Sequence, residues 1–381
     1  MSKQKKTIFI ILGATGDLAT EKIFPALSEL RKKNRHFSVI GVSRRSWSDD
    51  DFRDFLGTKY DKDFLGNIFY KQVFFDSCEG AAELKYFLKG FGTARFIFYV
   101  SMSPALYETT FACMRKNKLM DVGESKILIE KPFGLDTRSA QKLNRDLIGF
   151  LEHKQIYRVD HYLGKAGLQA VIRIHEKTDA LSDIINRRNV SSIRVSIFET
   201  IGVKDRGASY DTVGAFRDVG QNHILQMLAA VSVKPPPKDF SVAAWHSARA
   251  QVVESLDASK KIKIQRGQYR GYVKEKNVSK HSKTETFFSI ETSFTRGKLA
   301  GVPVILESGK KMKKHEASIR VEFKNGESLD IPVEGGAYEH ILESAIADRR
   351  EFFAGSREIL AAWKFVDTVS KSLIKAPLVL Y

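Results

Sequence analysis

The chain has 381 residues, with 62 Lys and Arg against 45 Asp and Glu and a formal net charge of +17, long enough for two domains with a sizeable core. Its hydrophobic share of 43% excludes disordered, collagen-like and coiled-coil architectures, and the positive charge points to anionic partners: nucleic acid, an anionic membrane or a phosphorylated small molecule. The two cysteines, Cys78 and Cys113, lie far apart in no CxxC spacing, which argues against a disulfide framework or zinc site and suits a reducing cytoplasm.

Residues 1–12 place a basic start before a short apolar run, and a glycine turn follows too soon for a signal sequence. No stretch approaches transmembrane length, so a soluble cytoplasmic protein without membrane partners is expected. Residues 7–12 form an unbroken apolar run, the pattern of a parallel strand buried on both faces. Gly13-Ala14-Thr15-Gly16-Asp17-Leu18-Ala19 follows, and then a helical pattern through Ile23, Leu27 and Leu30. Strand, glycine turn and helix start are what a dinucleotide pyrophosphate requires: Gly13 for the turn, Gly16 for close backbone approach, and helix amides facing the phosphates.

A second strand over residues 37–42 ends in Ser43-Arg44-Arg45. An NAD site places Asp or Glu there. Two arginines favour the 2′-phosphate of NADP, Arg44 foremost, with NAD as the alternative cofactor. Residues 49–76 read as a helix and a strand, residues 81–89 as a helix and residues 95–101 as a further strand running into Met102-Ser103-Pro104. Residues 126–130 repeat the logic and end in Glu130-Lys131-Pro132-Phe133-Gly134, which puts a lysine at the carboxyl end of a strand, where open α/β sheets bind ligands.

A helix near residues 137–153 leads into Tyr157-Arg158-Val159-Asp160-His161-Tyr162-Leu163-Gly164-Lys165, which supplies a carboxylate, an imidazole, a phenol and a lysine close together. That is equipment for moving a proton beside an anionic substrate. By composition alone it is an exposed polar loop. A domain boundary is placed here, giving 1–158 as a Rossmann-type α/β domain and 159–381 as an α+β domain. In the second half residues 193–199 alternate as a strand, and residues 216–228 read as a helix in which Asn222 and His223 sit near the apolar stripe, the usual place of a core histidine. Pro235-Pro236-Pro237 breaks the chain before a helix near 242–256. Strands near 285–295, 302–306 and 318–323 follow, and residues 337–373 are mostly helical. Nucleic acid rests on charge alone: basic residues are spread along the chain, the densest run being Lys310-Lys311-Met312-Lys313-Lys314, and no nucleic-acid motif accompanies them, so that partner is not expected.

Four blocks taken together, residues 13–19, 130–134, 158–165 and 218–223, resemble the glucose-6-phosphate dehydrogenases in order and rough spacing, as do residues 224–228, Gly301-Val302-Pro303 and Ser308-Gly309-Lys310. The resemblance runs from about Thr7 to Phe365. It implies a Rossmann-type domain followed by an α+β domain with a large, mainly antiparallel sheet, and oxidation of glucose 6-phosphate at C1 to 6-phosphogluconolactone, the first step of the pentose phosphate pathway. By matching motifs, His223 is the general base and Asp160 its carboxylate partner. His161, Tyr162 and Lys165 form the 6-phosphate cradle, Glu199 and Asp218 hold sugar hydroxyls, Lys310 reaches the substrate from the second domain, and Lys131 bridges substrate and nicotinamide. On the cofactor side Gly13, Ala14, Thr15, Gly16, Asp17, Leu18, Arg44, Tyr107 and Lys131 match, with Lys22 approaching the site and Asp17 capping the helix or fixing the loop; no metal is implied.

The chain also departs from the family pattern. It is shorter than typical members, the loss falling after Phe323 in the sheet that members use for their dimer contact, so the homo-oligomeric state is left open. Glu307 and Glu316 stand where members with a structural NADP carry basic residues, so a second NADP site is not expected. His315 replaces an arginine near the substrate phosphate. Two other readings remain at this stage: a related sugar-phosphate dehydrogenase with a different substrate, and a non-catalytic NADP-binding regulatory protein.

Overall fold

The computed structural model describes residues 5–33, 35–235, 241–259 and 262–381. Pro236 and Pro237 of the proline break lie outside the described residues. The chain divides into two units: Met1–Lys131 with Lys142–Val159 and Tyr338–Arg350, and Pro132–Gln141 with Asp160–Ala337 and Glu351–Tyr381.

In the first unit β1 (Lys6–Leu12), β2 (Phe37–Ser43), β3 (Ile68–Gln72), β4 (Ala94–Val100), β5 (Glu124–Glu130) and β6 (Ile156–Val159) form one sheet in the order β3-β2-β1-β4-β5-β6. Every neighbouring pair is parallel. All of β2, and all of β1 beyond Lys6, is buried, which is why these strands read as continuous apolar runs rather than alternating ones. The order reverses between β1 and β4, which opens a crevice at the carboxyl ends of those two strands. The helix Tyr338–Ile346 returns late in the chain to pack against the helix Phe24–Lys32. Lys126 Nζ fastens the segment after it, donating to the Ala345 carbonyl at 2.8 Å and pairing with Asp348.

Cys78 and Cys113 form a disulfide, with their Cα atoms 5.5 Å apart across a sequence separation of 35. This corrects the expectation drawn from their spacing. Cys78 follows β3 and Cys113 lies on the helix after β4, Tyr107–Lys116. In the sheet β2 and β1 stand between β3 and β4, so the two cysteines meet through the connections that follow those strands and not through adjacent strands.

In the second unit β7 (Val190–Phe198), β8 (Lys263–Gln268), β9 (Phe287–Ser293), β10 (Pro303–Gly309), β11 (Glu316–Phe323), β12 (Ser328–Pro332) and β13 (Leu378–Leu380) form a sheet ordered β12-β11-β7-β10-β9-β8-β13. The pairs β7–β10 and β8–β13 are parallel; the others are antiparallel, so the sheet is mainly antiparallel as the resemblance implies. Burial alternates along β9, the signature of a sheet with one covered face. The segment Phe216–Leu228, expected as one α-helix, is wound as a π-helix over Phe216–Ile224 and becomes α-helical only from Leu225. Among the described residues no helix is long and apolar enough to cross a membrane.

Candidate active site

The crevice of the first sheet is a cleft of about 750 Å³ whose lining includes Gly13, Thr15, Gly16, Asp17, Arg44 and Arg45. The backbone makes it. Gly13 takes φ +85°, and a Cβ there would sit 3.1 Å from the Ser101 carbonyl, so only glycine lets the turn pass the end of β4. The Gly13 and Ala14 amides both donate to the Val42 carbonyl, at 2.9 and 3.1 Å, which pins the loop to the end of β2. Arg45 lies over the Trp47 ring at 4.8 Å, and Arg44 and Arg45 both line the cleft.

The other cofactor candidates are placed differently. Ala14 is fully buried and acts through its backbone, while Leu18 and Lys22 are not among the lining residues. Tyr107 is buried and donates to the Glu130 carbonyl at 3.0 Å, holding the end of β5 just before Lys131. Burial pushes its phenol well above the ordinary range, with Glu130 adding to the effect. Asp17 stands in the first turn of the helix and lines the cleft. Sequence reading passed over Asp76, Thr109 and Thr110, which line the cleft from the segments after β3 and β4. Only the parallel order of the sheet brings those segments beside Gly13.

In the second unit Asp160 and His223 come together although 63 positions separate them: His223 Nδ1 lies 2.5 Å from Asp160 Oδ1, with Asp160 1% and His223 3% exposed. Asp160 is held by its own turn, because Oδ1 also accepts from the Tyr162 amide at 3.0 Å as the short helix His161–Gly164 begins. His223 is held by the π-helix. Its amide donates to Asn222 Oδ1 at 2.7 Å, and Asn222 Nδ2 donates back to the Asp218 carbonyl at 2.9 Å. π-type winding inside a helix costs stability and recurs at functional sites. The Tyr162 ring stacks on His223 at 4.1 Å between centroids and 27° between planes, and His161 meets the same imidazole edge-on at 4.5 Å. Lys165 Nζ caps the Tyr162 ring at 4.4 Å and donates to the Val333 carbonyl at 3.3 Å. Loss of water lowers the Lys165 pKa, and nearby Glu334 opposes that.

Lys310 is 5% exposed, and its Nζ is 2.5 Å from Glu199 Oε2. Asp218 accepts from Arg206 at 3.0 Å, and that carboxylate raises the Arg206 pKa. Burial pushes the Tyr162 phenol up, with Glu199 and Asp160 adding to the effect, so its hydroxyl remains a donor at neutral pH. His315 is exposed in the segment between β10 and β11. Glu307 is used inside the sheet, accepting from Arg194 at 2.7 Å and Ser289 at 2.9 Å. Arg206 and Tyr210, whose ring lies 5.4 Å under Lys310 Nζ, were missed from sequence because they sit in a three-residue 3₁₀ helix and a five-residue α-helix, both too short for a periodic signal.

One donor atom each from Asp160, His161 and His223 lies within 4.8 Å of the others, a set that could hold a metal ion. In this arrangement, however, the Asp160 carboxylate and the His223 imidazole are committed to one another. Such a pairing is one that can serve as a base. If Nδ1–H is donated to the carboxylate, Nε2 is the nitrogen that could accept a proton, and the aspartate would stabilise the resulting imidazolium.

A parallel sheet built for a dinucleotide and a second unit with a buried aspartate–histidine pair define a nicotinamide-dependent oxidoreductase. Comparison with known proteins narrows the class. Residues 10–170 match the family model "Glucose-6-phosphate dehydrogenase, NAD binding domain", and residues 171–335 match "Glucose-6-phosphate dehydrogenase, C-terminal domain". The chain belongs to the glucose-6-phosphate dehydrogenase family. It is 29% identical to the glucose-6-phosphate 1-dehydrogenase of Helicobacter pylori strain 26695 over 98% of this chain and 94% of that one. It is 33% identical to the Bacillus subtilis enzyme of the same name over 87% of this chain and 73% of that one. A glucose-6-phosphate dehydrogenase solved with its substrate shares the fold, with a TM-score of 0.90 at 24% identity over 100% of this chain and 95% of that one.

Proposed function

We propose that the protein oxidises glucose 6-phosphate at C1 to 6-phosphogluconolactone, with NADP as the preferred acceptor. The observation that carries the reading is the buried Asp160–His223 hydrogen bond of 2.5 Å, with Tyr162 stacked on the imidazole and Lys165 above Tyr162. Oxidation of a C1 hydroxyl removes a hydride from carbon and a proton from oxygen. Bound NADP supplies the hydride acceptor. His223 Nε2 takes the hydroxyl proton as the C1=O bond forms, and Asp160 offsets the positive charge that develops on the ring. Lys165, with His161 and the Tyr162 hydroxyl, holds the 6-phosphate, while Glu199 and Asp218 accept from sugar hydroxyls. Lys310 adds an ammonium, and Lys131 stands at the carboxyl end of β5.

The residues around the crevice of the first sheet fit a dinucleotide. Gly13, Thr15 and Gly16 would take the pyrophosphate at the loop, and Arg44 with Arg45 the 2′-phosphate. No acidic residue stands in the Ser43-Arg44-Arg45 turn to bind an unphosphorylated ribose, which is why NADP is favoured over NAD.

The test is nicotinamide reduction followed by absorbance with glucose 6-phosphate, free glucose and other hexose 6-phosphates, each with NADP and NAD. Rapid reduction with glucose 6-phosphate and NADP is expected. Activity confined to another sugar phosphate would overturn the substrate. Cofactor binding without turnover on any of them would overturn the enzyme reading.

A further inference from the structure

We propose that Tyr381 is a positioning residue for Lys310: its hydroxyl fixes the main chain of that lysine and so the direction in which the ammonium reaches. The inference rests on the reading of Lys310 as a sugar-phosphate ligand.

The backbone around Lys310 needs an outside partner. β10 ends at Gly309, which is still paired with Phe287. Lys310 N continues the ladder by donating to the Thr286 carbonyl at 2.9 Å. The next residue leaves it: Lys311 takes φ +50°, a left-handed conformation that side chains other than glycine adopt at a cost. Lys311 N and Met312 N then donate to the Ile201 and Glu199 carbonyls, at 3.1 and 2.9 Å. The turn is set in the chain just where the substrate lysine is mounted, and a carbonyl turned out of its ladder requires another donor.

Tyr381 supplies it. Its hydroxyl is 2.8 Å from the Lys310 carbonyl, 3.0 Å from Thr286 Oγ1 and 3.2 Å from the Thr286 carbonyl. One phenol therefore engages both residues that define the Lys310 backbone. Tyr381 arrives there by sheet geometry. β13 adds in parallel to β8, the Tyr381 amide donates to the Gln268 carbonyl at 3.2 Å, and the Arg270 amide donates to the Tyr381 carbonyl at 2.9 Å. Its ring crosses Gly267, where a Cβ would come within 2.9 Å of it, and meets Phe287 edge-on at 6.0 Å. Burial pushes the phenol up to about 12, so it stays a donor throughout the physiological range. Beyond the fixed backbone, the Lys310 ammonium is paired with Glu199 and lies 5.4 Å from the centre of the Tyr210 ring.

The experiment compares Tyr381→Phe and Lys310→Ala with the parent by steady-state kinetics and thermal unfolding. Loss of one hydrogen bond to the lysine backbone is expected to raise KM for glucose 6-phosphate about tenfold in Tyr381→Phe, with KM for NADP unchanged. A purely structural role would instead lower the Tm and leave the ratio of the two KM values where it was. Lys310→Ala is expected to raise the same sugar-phosphate KM further. If Lys310→Ala leaves that KM unchanged, the reading of the site fails and this inference with it. If Lys310→Ala raises it and Tyr381→Phe does not, the inference alone is overturned.

Discussion

His223 Nδ1 and Asp160 Oδ1 stand 2.5 Å apart, and neither side chain has more than a few per cent of its surface exposed. A carboxylate so close to Nδ1 favours the tautomer that carries its proton there. Asp160→Asn removes the charge but keeps the shape, so kcat should fall by about 10²–10⁴-fold with KM for the sugar phosphate changed little. His223→Asn should bind both ligands and lose turnover to the same extent. Calorimetric titration of each ligand beside the kinetics checks both points, and full activity in His223→Asn would sink the base assignment.

Arg44 and Arg45 line the nucleotide cleft together. A charge-assisted contact is worth about 1.5–3 kcal/mol, so Arg44→Ala should weaken NADP binding by roughly 10- to 100-fold. NAD lacks the 2′-phosphate, and its binding should change by less than about threefold. Dissociation constants for the two nucleotides, measured by fluorescence, separate the outcomes; equal losses would remove the basis for NADP preference.

His175 is 3% exposed in the helix Ala166–Lys177, and burial, helped by the Lys298 charge, pushes its pKa down to about 4. In the unfolded chain it takes a proton near pH 6.5. Between about pH 6.5 and 4 the unfolded state therefore binds the proton that the folded state refuses, and stability falls as the pH falls. The full effect is about 3 kcal/mol, reached near pH 4 and absent above neutrality. Urea unfolding of the parent and of His175→Gln at pH 7.5 and pH 4.5 should show a smaller acid loss in the variant.

Arg249 and Glu358 are both 0% exposed, with Nε 2.6 Å from Oε1. The guanidinium also donates to the Glu351 and Phe353 carbonyls, at 3.0 and 2.6 Å. Replacing Arg249 by Met leaves a buried carboxylate and two carbonyls without their donor. The expected cost is about 3–5 kcal/mol of stability. Replacing Arg249 and Glu358 together by apolar residues should cost less than the single change, and chemical denaturation of all three chains would show it.

The Cys78–Cys113 bond closes a loop with a sequence separation of 35. Loop-closure entropy for that length corresponds to roughly 3–4 kcal/mol of stability for the oxidised chain. Thermal unfolding with and without a reducing agent should therefore differ, and Cys113→Ser should unfold at one temperature under both conditions. Mass shifts on thiol alkylation would count the free thiols directly.

The sequence by itself determined the units whose reasons are local. Apolar runs in β1 and β4, and the shorter one at 127–129 in β5, report strands buried on both faces, and Gly13 to Gly16 reports a tight turn before a helix. The Asp160-His161-Tyr162 cluster and the lysine at 165 stood out because four kinds of side-chain chemistry fall within a few residues, but composition alone read them as an exposed polar loop, whereas Asp160 and Tyr162 are buried. Tertiary structure decided everything that depends on chain segments meeting. No local pattern pairs His223 with Asp160, and the apolar stripe around His223 argues for a core histidine. The π-type winding of Phe216–Ile224 repeats no hydrophobic period that could announce it. The disulfide ran against the sequence spacing because the segment after β3 and the helix after β4 meet only once the unit has folded. Nothing local in Tyr338–Arg350 says which unit it joins, and nothing in Leu378–Leu380 says that it will extend the sheet beside β8 and bring the Tyr381 hydroxyl to the Lys310 carbonyl. Hydrophobic periodicity records which face of an element is buried, whereas the partner that buries it is chosen only when the whole chain closes.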